Sequence, residues 1–279
     1  MSSLQHQRFG IRSEWIRGAL EKPEELLQSL GNRQILAIKG WLTQAGIAEV
    51  RAGKEEDKWE IILSPFGKIL KEFDPHVLGL PSWMFILLNL QNEKSGSLLF
   101  FWFANKFQMT LYSQSQLKQR MEEFFSKYSK KTVENISTEL KASLLSTPIG
   151  NDLHLAIPEG DHFLRQPYTS TPFPLPVFAY ALFLQGQTYQ RDSFSTMEVE
   201  EGEGFPRRIF GLGRRQNEEL LDALHSTYNR KLIEVSRTGG LNVVYLKSFT
   251  PNQMAKLYYL ENKGIEPMQA LKQLEKGEE

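Results

Sequence analysis

The chain has 279 residues, more than one common domain, and carries 33 Lys and Arg against 33 Asp and Glu, a net charge of zero. That balance argues against a protein that coats nucleic acid without sequence preference, since such binding draws on a surplus of cations, and is compatible with a local basic patch. With no cysteine, disulfides, thiol nucleophiles and thiolate metal sites are excluded, and a reducing compartment, the cytoplasm, is the expected location.

The first nine residues are polar and lack the apolar core of a signal peptide. Residues 24–70 predict helix, turn, helix and then a strand pair. Pro23 with Glu24 and Glu25 opens a helix that runs to Leu30 and stops at Gly31. Asn32 is placed to cap the next helix, whose Ile35, Leu36, Ile38, Leu42 and Ile47 fall mostly at three- and four-residue spacing. Residues 47–50 and 59–63 then read as a hairpin around the charged segment 51–58, which holds Glu55, Glu56 and Asp57.

Residues 83–90 and 98–107 are dense in aromatic and aliphatic side chains and predict two buried helices around a polar loop at 91–96. The run at 98–104 is far shorter than the roughly 20 residues of a membrane span, so no membrane partner is expected. Amphipathic helices are predicted at 115–128, through Leu117, Met121, Phe124 and Phe125, and at 132–145, through Val133, Ile136, Leu140 and Leu144. Residues 147–150 end that run. Pro158, Pro167, Pro172, Pro174 and Pro176 then mark 151–176 as a long connection with little periodicity.

The helix–turn–helix–hairpin plan returns over 177–245. An apolar helix is expected at 175–184 and a short helix at 193–198, where Ser195 and Glu198 have capping-box spacing. The helix at 216–228 turns Leu220, Leu221 and Leu224 inward, and 232–235 with 241–246 form a hairpin around a tip that contains Gly239 and Gly240. Residues 252–260 and 267–274 read as a closing helix pair, and 275–279 as a frayed tail. The expected fold is mainly α with small β-hairpins (α+β): two winged helix-turn-helix-like units joined by a helical middle. The expected division is 1–150, a connection at 151–176, and 177–279.

Catalytic, metal and cofactor sites are not indicated. His6, His76, His154, His162 and His225 have no metal-ligand spacing, and the acid–imidazole pairs Asp152 with His154 and Asp161 with His162 sit in the proline-rich connection. The glycines of 202–204 and 211–213 lack the Lys-Ser/Thr ending of a phosphate loop. DNA contact has better candidates. Arg33 and Gln34 can pair with base edges and Lys39 with phosphates. Arg214, Arg215, Gln216 and Asn217 open the second recognition helix, where base contacts of helix-turn-helix proteins concentrate. Arg237 beside the second tip suits a minor-groove or phosphate contact, and Arg207 and Arg208 suit a phosphate or an acidic partner. Residues 205–237 hold seven basic against four acidic side chains. The acidic first wing favours a protein interface for the N-terminal unit and leaves DNA reading to the C-terminal one.

Five blocks carry a resemblance to a known family: 6–16 (HQRFGIRSEWI), 30–41 (LGNRQILAIKGW), 63–70 (LSPFGKIL), 73–76 (FDPH), and 207–210 (RRIF) with 238–241 (TGGL). In these the chain resembles the bacterial domain of unknown function numbered four thousand and seven, whose members occur in anti-phage and DNA-phosphorothioation gene clusters. The segment 76–83 departs from the family's usual Tyr, acidic pair and Thr-Leu-Trp run. The resemblance implies a recognition or regulatory subunit beside an apparatus acting on DNA, with double-stranded DNA and other proteins of a defence or DNA-modification complex as partners. An adaptor without direct DNA contact is the alternative.

Overall fold

The structure, a computed structural model, describes residues 6–53, 59–169, 172–237 and 242–276 and divides into two units, Met1–Gln166 and Pro167–Glu279. It is mainly helical with small antiparallel sheets.

The first unit opens with α1 (Ser13–Glu21), α2 (Pro23–Ser29) and α3 (Asn32–Gln44), followed by the antiparallel pair β1 (Ala48–Ala52) and β2 (Trp59–Leu63). Pro23 takes the first turn of α2, where its missing N–H costs nothing. Gly31, not Asn32, is the N-cap of α3, and its N–H donates to the Gln34 side chain at 3.1 Å. Gly46 follows α3 at φ +70°, and a Cβ there would lie 2.8 Å from Asn89 Nδ2, so both conformation and space require glycine. Val50 opposes Ile61 in the hairpin, as the alternating pattern requires. The tip residues Glu55, Glu56 and Asp57 lie outside the described residues.

Next come α4 (Pro65–Phe73), α5 (Leu80–Leu90) and α6 (Leu98–Asn105). Ser64 caps α4 by accepting from Gly67 N–H at 2.9 Å. Helices α5 and α6 are apolar on all sides because both are buried on all sides: Trp83 through Leu88 and Leu99 through Ala104 are core. The polar residues among them are matched, Asn89 donating to Ala45 O at 3.0 Å and Asn105 to Gln91 Oε1 at 3.0 Å. The unit continues through β3 (Leu111–Ser113), α7 (Gln114–Phe124), α8 (Lys130–Leu145), α9 (Pro148–Asn151), β4 (Ile157–Glu159) and β5 (His162–Leu164).

The N-terminal segment crosses α8. Arg8 N–H donates to Glu139 Oε1 at 2.7 Å and Ile11 N–H to Ser143 Oγ at 3.0 Å. Gly10 sits where a Cβ would come within 2.5 Å of Ser143 N, so this crossing admits no side chain. His6 stacks on Trp41 at 3.7 Å, and Trp41 Nε1–H donates to Phe9 O at 2.7 Å.

The first part of the proline-rich connection forms regular structure. β4 and β5 form a hairpin that β3 extends into a sheet of order β3-β5-β4. Pro158 is tolerated because β4 is an edge strand. Arg165, just past β5, donates to Phe103 O, Phe107 O and Ala104 O at 3.0, 2.7 and 3.2 Å, which closes the C-terminal end of α6.

The second unit runs α10 (Leu175–Tyr189), β6 (Ser193–Ser195), α11 (Thr196–Glu201), α12 (Pro206–Phe210), α13 (Arg214–Thr227), β7 (Ile233–Ser236), β8 (Val243–Leu246), α14 (Pro251–Asn262) and α15 (Pro267–Lys276). Residues 193–195 are a strand, not the start of the short helix, and they pair with β8 to give the order β6-β8-β7. The capping box forms at the expected pair, at the end of the strand: Ser195 Oγ accepts from Glu198 N–H at 3.1 Å and Glu198 Oε2 from Ser195 N–H at 2.7 Å. Helix α10 packs on α14, and Val177, Phe178, Ala181 and Leu182 of the first and Met254 and Leu257 of the second are buried. The tip at Gly239 and Gly240 lies outside the described residues.

Candidate nucleic-acid interface

Helix α3 contains no Asp or Glu. Its apolar residues Ile35, Ala37, Ile38, Trp41 and Leu42 are buried, which turns Arg33, Leu36, Lys39 and Thr43, one per turn, to the exposed side. Leu36 is 43% exposed. Arg33 makes no ion pair among the described residues, and Lys39 Nζ lies 5.6 Å from the centroid of the Trp59 ring on β2. Gln34 is half-buried, with its carbonyl oxygen engaged by the Gly31 cap. Of the three candidates on this helix, Arg33 and Lys39 face outward.

Helix α13 presents a different surface. Arg214 donates to Glu200 and lies 3.6 Å from Glu201; Arg215, 92% exposed, donates to Glu219 at 2.8 Å one turn on. These bonds raise both guanidinium pKa values above the ordinary range. Arg237, at the end of β7, donates to Asp222 at 2.6 Å. The exposed residues of α13 include Glu218, Glu219 and Asp222, carboxylates that would face a phosphate backbone. Gln216 is half-buried. Asn217, expected at a base contact, is only 1% exposed: the leucine stripe that turns Leu220, Leu221 and Leu224 inward carries Asn217 inward with it.

Arg207 and Arg208 sit on α12 and donate to Glu200 O at 3.2 Å and Glu201 O at 3.1 Å. They complete the last carbonyls of α11, the part that cations near a helix C-terminus commonly take. The intervening glycines are structural: Gly211 ends α12 and Gly213 caps α13.

The histidines do not converge. His6 is buried against Trp41, His76 lies 3.3 Å from Glu21, and His225 Nδ1 accepts from Val235 N–H at 2.9 Å, which ties α13 to β7. Asp161 and His162 are exposed, while the nearby Arg165 is turned onto the α6 carbonyls. Among the described residues no group of three or more His, Asp or Glu is placed to hold a metal ion, and no helix is long and apolar enough to cross a membrane.

No family model matches this chain, and no curated protein matches it. Solved structures do. The magnesium ion-bound SspB crystal structure superposes with a TM-score of 0.72 and the SspB crystal structure with 0.71, each at 16% identity over 94% of this chain and 87% of the other. At that identity the likeness is one of fold, and it extends over nearly the whole chain.

Proposed function

We propose that this protein is a non-enzymatic DNA-binding or regulatory subunit of a bacterial DNA-modification or defence system, and that α3 of the first unit is the helix that meets DNA. The observation that carries this is the carboxylate-free outer face of α3, with Arg33 and Lys39 on it and the β1–β2 hairpin beside it. In a winged helix-turn-helix that helix enters the major groove and the hairpin flanks it. The acidic residues Glu55, Glu56 and Asp57 of the segment between the two strands favour a contact by the helix over one by the wing. The fold shared with SspB, a protein associated with DNA phosphorothioation, supports a place in such a system, as does the resemblance to the domain of unknown function numbered four thousand and seven. The test is duplex binding by the full chain, followed by fluorescence anisotropy at about 50 and about 200 mM salt, where a phosphate-contacting protein loses affinity steeply. Absence of binding at the lower salt would contradict direct DNA contact.

A second reading, an adaptor that docks proteins, is favoured by α13. Its arginines are already paired and its outward carboxylates are unsuited to phosphate. The two readings are compatible if the first unit takes DNA and the second takes protein.

A further inference from the structure

Between α11, α13 and the start of β8 lies a groove of about 270 Å³, whose lining includes Thr196, Glu200, Asn217, Glu218, Asp222 and Arg237. Thr196 N–H donates to Asn242 O at 2.9 Å, which holds the wall formed by the β8 lead-in against α11. Asn217 is 1% exposed, and among the described residues neither its amide oxygen nor its amide nitrogen has a hydrogen-bond partner. A buried amide with both ends unsatisfied is costly and uncommon in folded proteins, and it marks a place where a complementary group is missing. Around it stand three carboxylates.

We propose that this groove docks a basic peptide segment of a partner protein, seating a guanidinium or ammonium among Glu200, Glu218 and Asp222 and pairing a peptide group with the Asn217 amide. The side-chain amide offers donors and an acceptor, and a peptide group returns one acceptor and one donor in the same plane. The carboxylates supply the countercharge, and carboxylates bind guanidinium best in paired hydrogen bonds. Two internal arginines already occupy these acids, Arg214 on Glu200 and Arg237 on Asp222 at 2.6 Å. A partner's arginine takes over the Asp222 contact as Arg237 swings out, and this uncovers the amide below. Nucleic acid fits poorly, because its phosphates would meet the same three carboxylates. The inference is independent of the role proposed for α3, which lies in the other unit.

The test uses the full chain and a fluorescein-labelled peptide of alternating glycine and arginine, with citrulline replacing arginine in the control, read by anisotropy. The arginine peptide is expected to bind about tenfold more tightly than the citrulline peptide, a difference set by charge-assisted hydrogen bonds. Asn217→Leu changes no charge and relieves the unsatisfied amide, so its thermal midpoint should equal or exceed that of the unmodified protein while peptide affinity falls about fivefold or more. Asp222→Asn, at the exposed rim, should weaken binding without touching the core, and it decides the matter alone if Asn217→Leu fails to fold. Equal binding of the two peptides, or a folded Asn217→Leu protein that binds as the unmodified one does, would overturn the proposal. So would Asn217-dependent binding of a labelled single-stranded oligonucleotide, which would give the groove to nucleic acid.

Discussion

Lys39 Nζ stands 5.6 Å from the centroid of the Trp59 ring, which links the exposed face of α3 to the first strand residue after the hairpin tip. A cation over an aromatic face is held by the ring's quadrupole, at an exposed site by about 0.5–1 kcal/mol. The contact limits the swing of a long side chain and keeps its charge where a duplex would approach α3. Lys39→Gln should therefore weaken duplex binding and lower the salt slope by about one released counterion. A salt titration checks this, and an unchanged slope would remove Lys39 from the phosphate contacts.

Arg165 gives a direct test of how the small sheet of β3, β5 and β4 is held. Its guanidinium bonds three carbonyls at and beyond the end of α6 while the residue continues β5, so one side chain ties the small sheet to the buried helices. Arg165→Met keeps the stem and removes the donors. The expected loss is about 2–3 kcal/mol, because hydrogen bonds to a charged group are strong and the carbonyls stay buried. Urea unfolding should show a lower midpoint, and an unchanged midpoint would mean that water satisfies those carbonyls equally well.

Glu198 shapes the acid response of the second unit. Its carboxylate takes two bonds from Arg191, at 2.7 and 3.2 Å, and one from Ser195 N–H, and chiefly through Arg191 its pKa falls from 4.5 to about 2. A depressed folded pKa contributes stability that is present above the unfolded value and is lost as pH falls from about 4.5 to about 2. The side chains are more than 40% exposed, so solvent screening limits the contribution to about 1 kcal/mol. Glu198→Gln should be less stable than the unmodified protein at pH 7 and equal to it near pH 2. A gap that persists at the acid end would assign the loss to packing instead.

Glu261 has the opposite sign. Burial, with Glu266 nearby, raises its carboxyl pKa despite the hydrogen bond it accepts from Tyr228 Oη at 2.5 Å. A raised folded pKa contributes stability that is fully present below the unfolded value and is lost as pH climbs through the folded one. Glu261→Gln keeps the acceptor for Tyr228 and removes the buried charge. Its thermal midpoint should exceed that of the unmodified protein at pH 8, on the order of a few degrees, and match it at pH 4. A lower midpoint at pH 8 would show that the charge is needed there.

Much of the architecture was legible in the chain because periodicity and capping are local. Ile35, Ile38 and Leu42 marked the inner face of α3, the apolar runs at 83–90 and 98–104 marked the two buried helices, and Ser195 with Glu198 marked the start of α11. Strands of three residues were not legible. β3, β4, β5 and β6 are each too short to display alternation, and β3, β5 and β6 depend on pairing with distant residues, as Phe163 pairs with Tyr112 and Phe194 with Val244. Among the expected contact residues, arginine identity was visible but arginine partnership was not. Arg214, Arg215 and Arg237 look available along the chain, whereas the fold brings Glu200, Glu219 and Asp222 to them. The burial of Asn217 follows from its place one turn before Leu220 and Leu221, a signal present in the sequence and outweighed there by its position at a helix start.

The most direct test of α3 as the DNA-facing helix is duplex anisotropy at low salt on two variants of the full chain, Arg33→Ala/Lys39→Ala and Arg214→Ala/Arg215→Ala. The α3 pair is expected to lose about tenfold or more in affinity with a shallower salt slope, while the α13 pair, whose charges are already neutralised by Glu200 and Glu219, changes little. Loss of binding in the α13 pair with the α3 pair unaffected would contradict it.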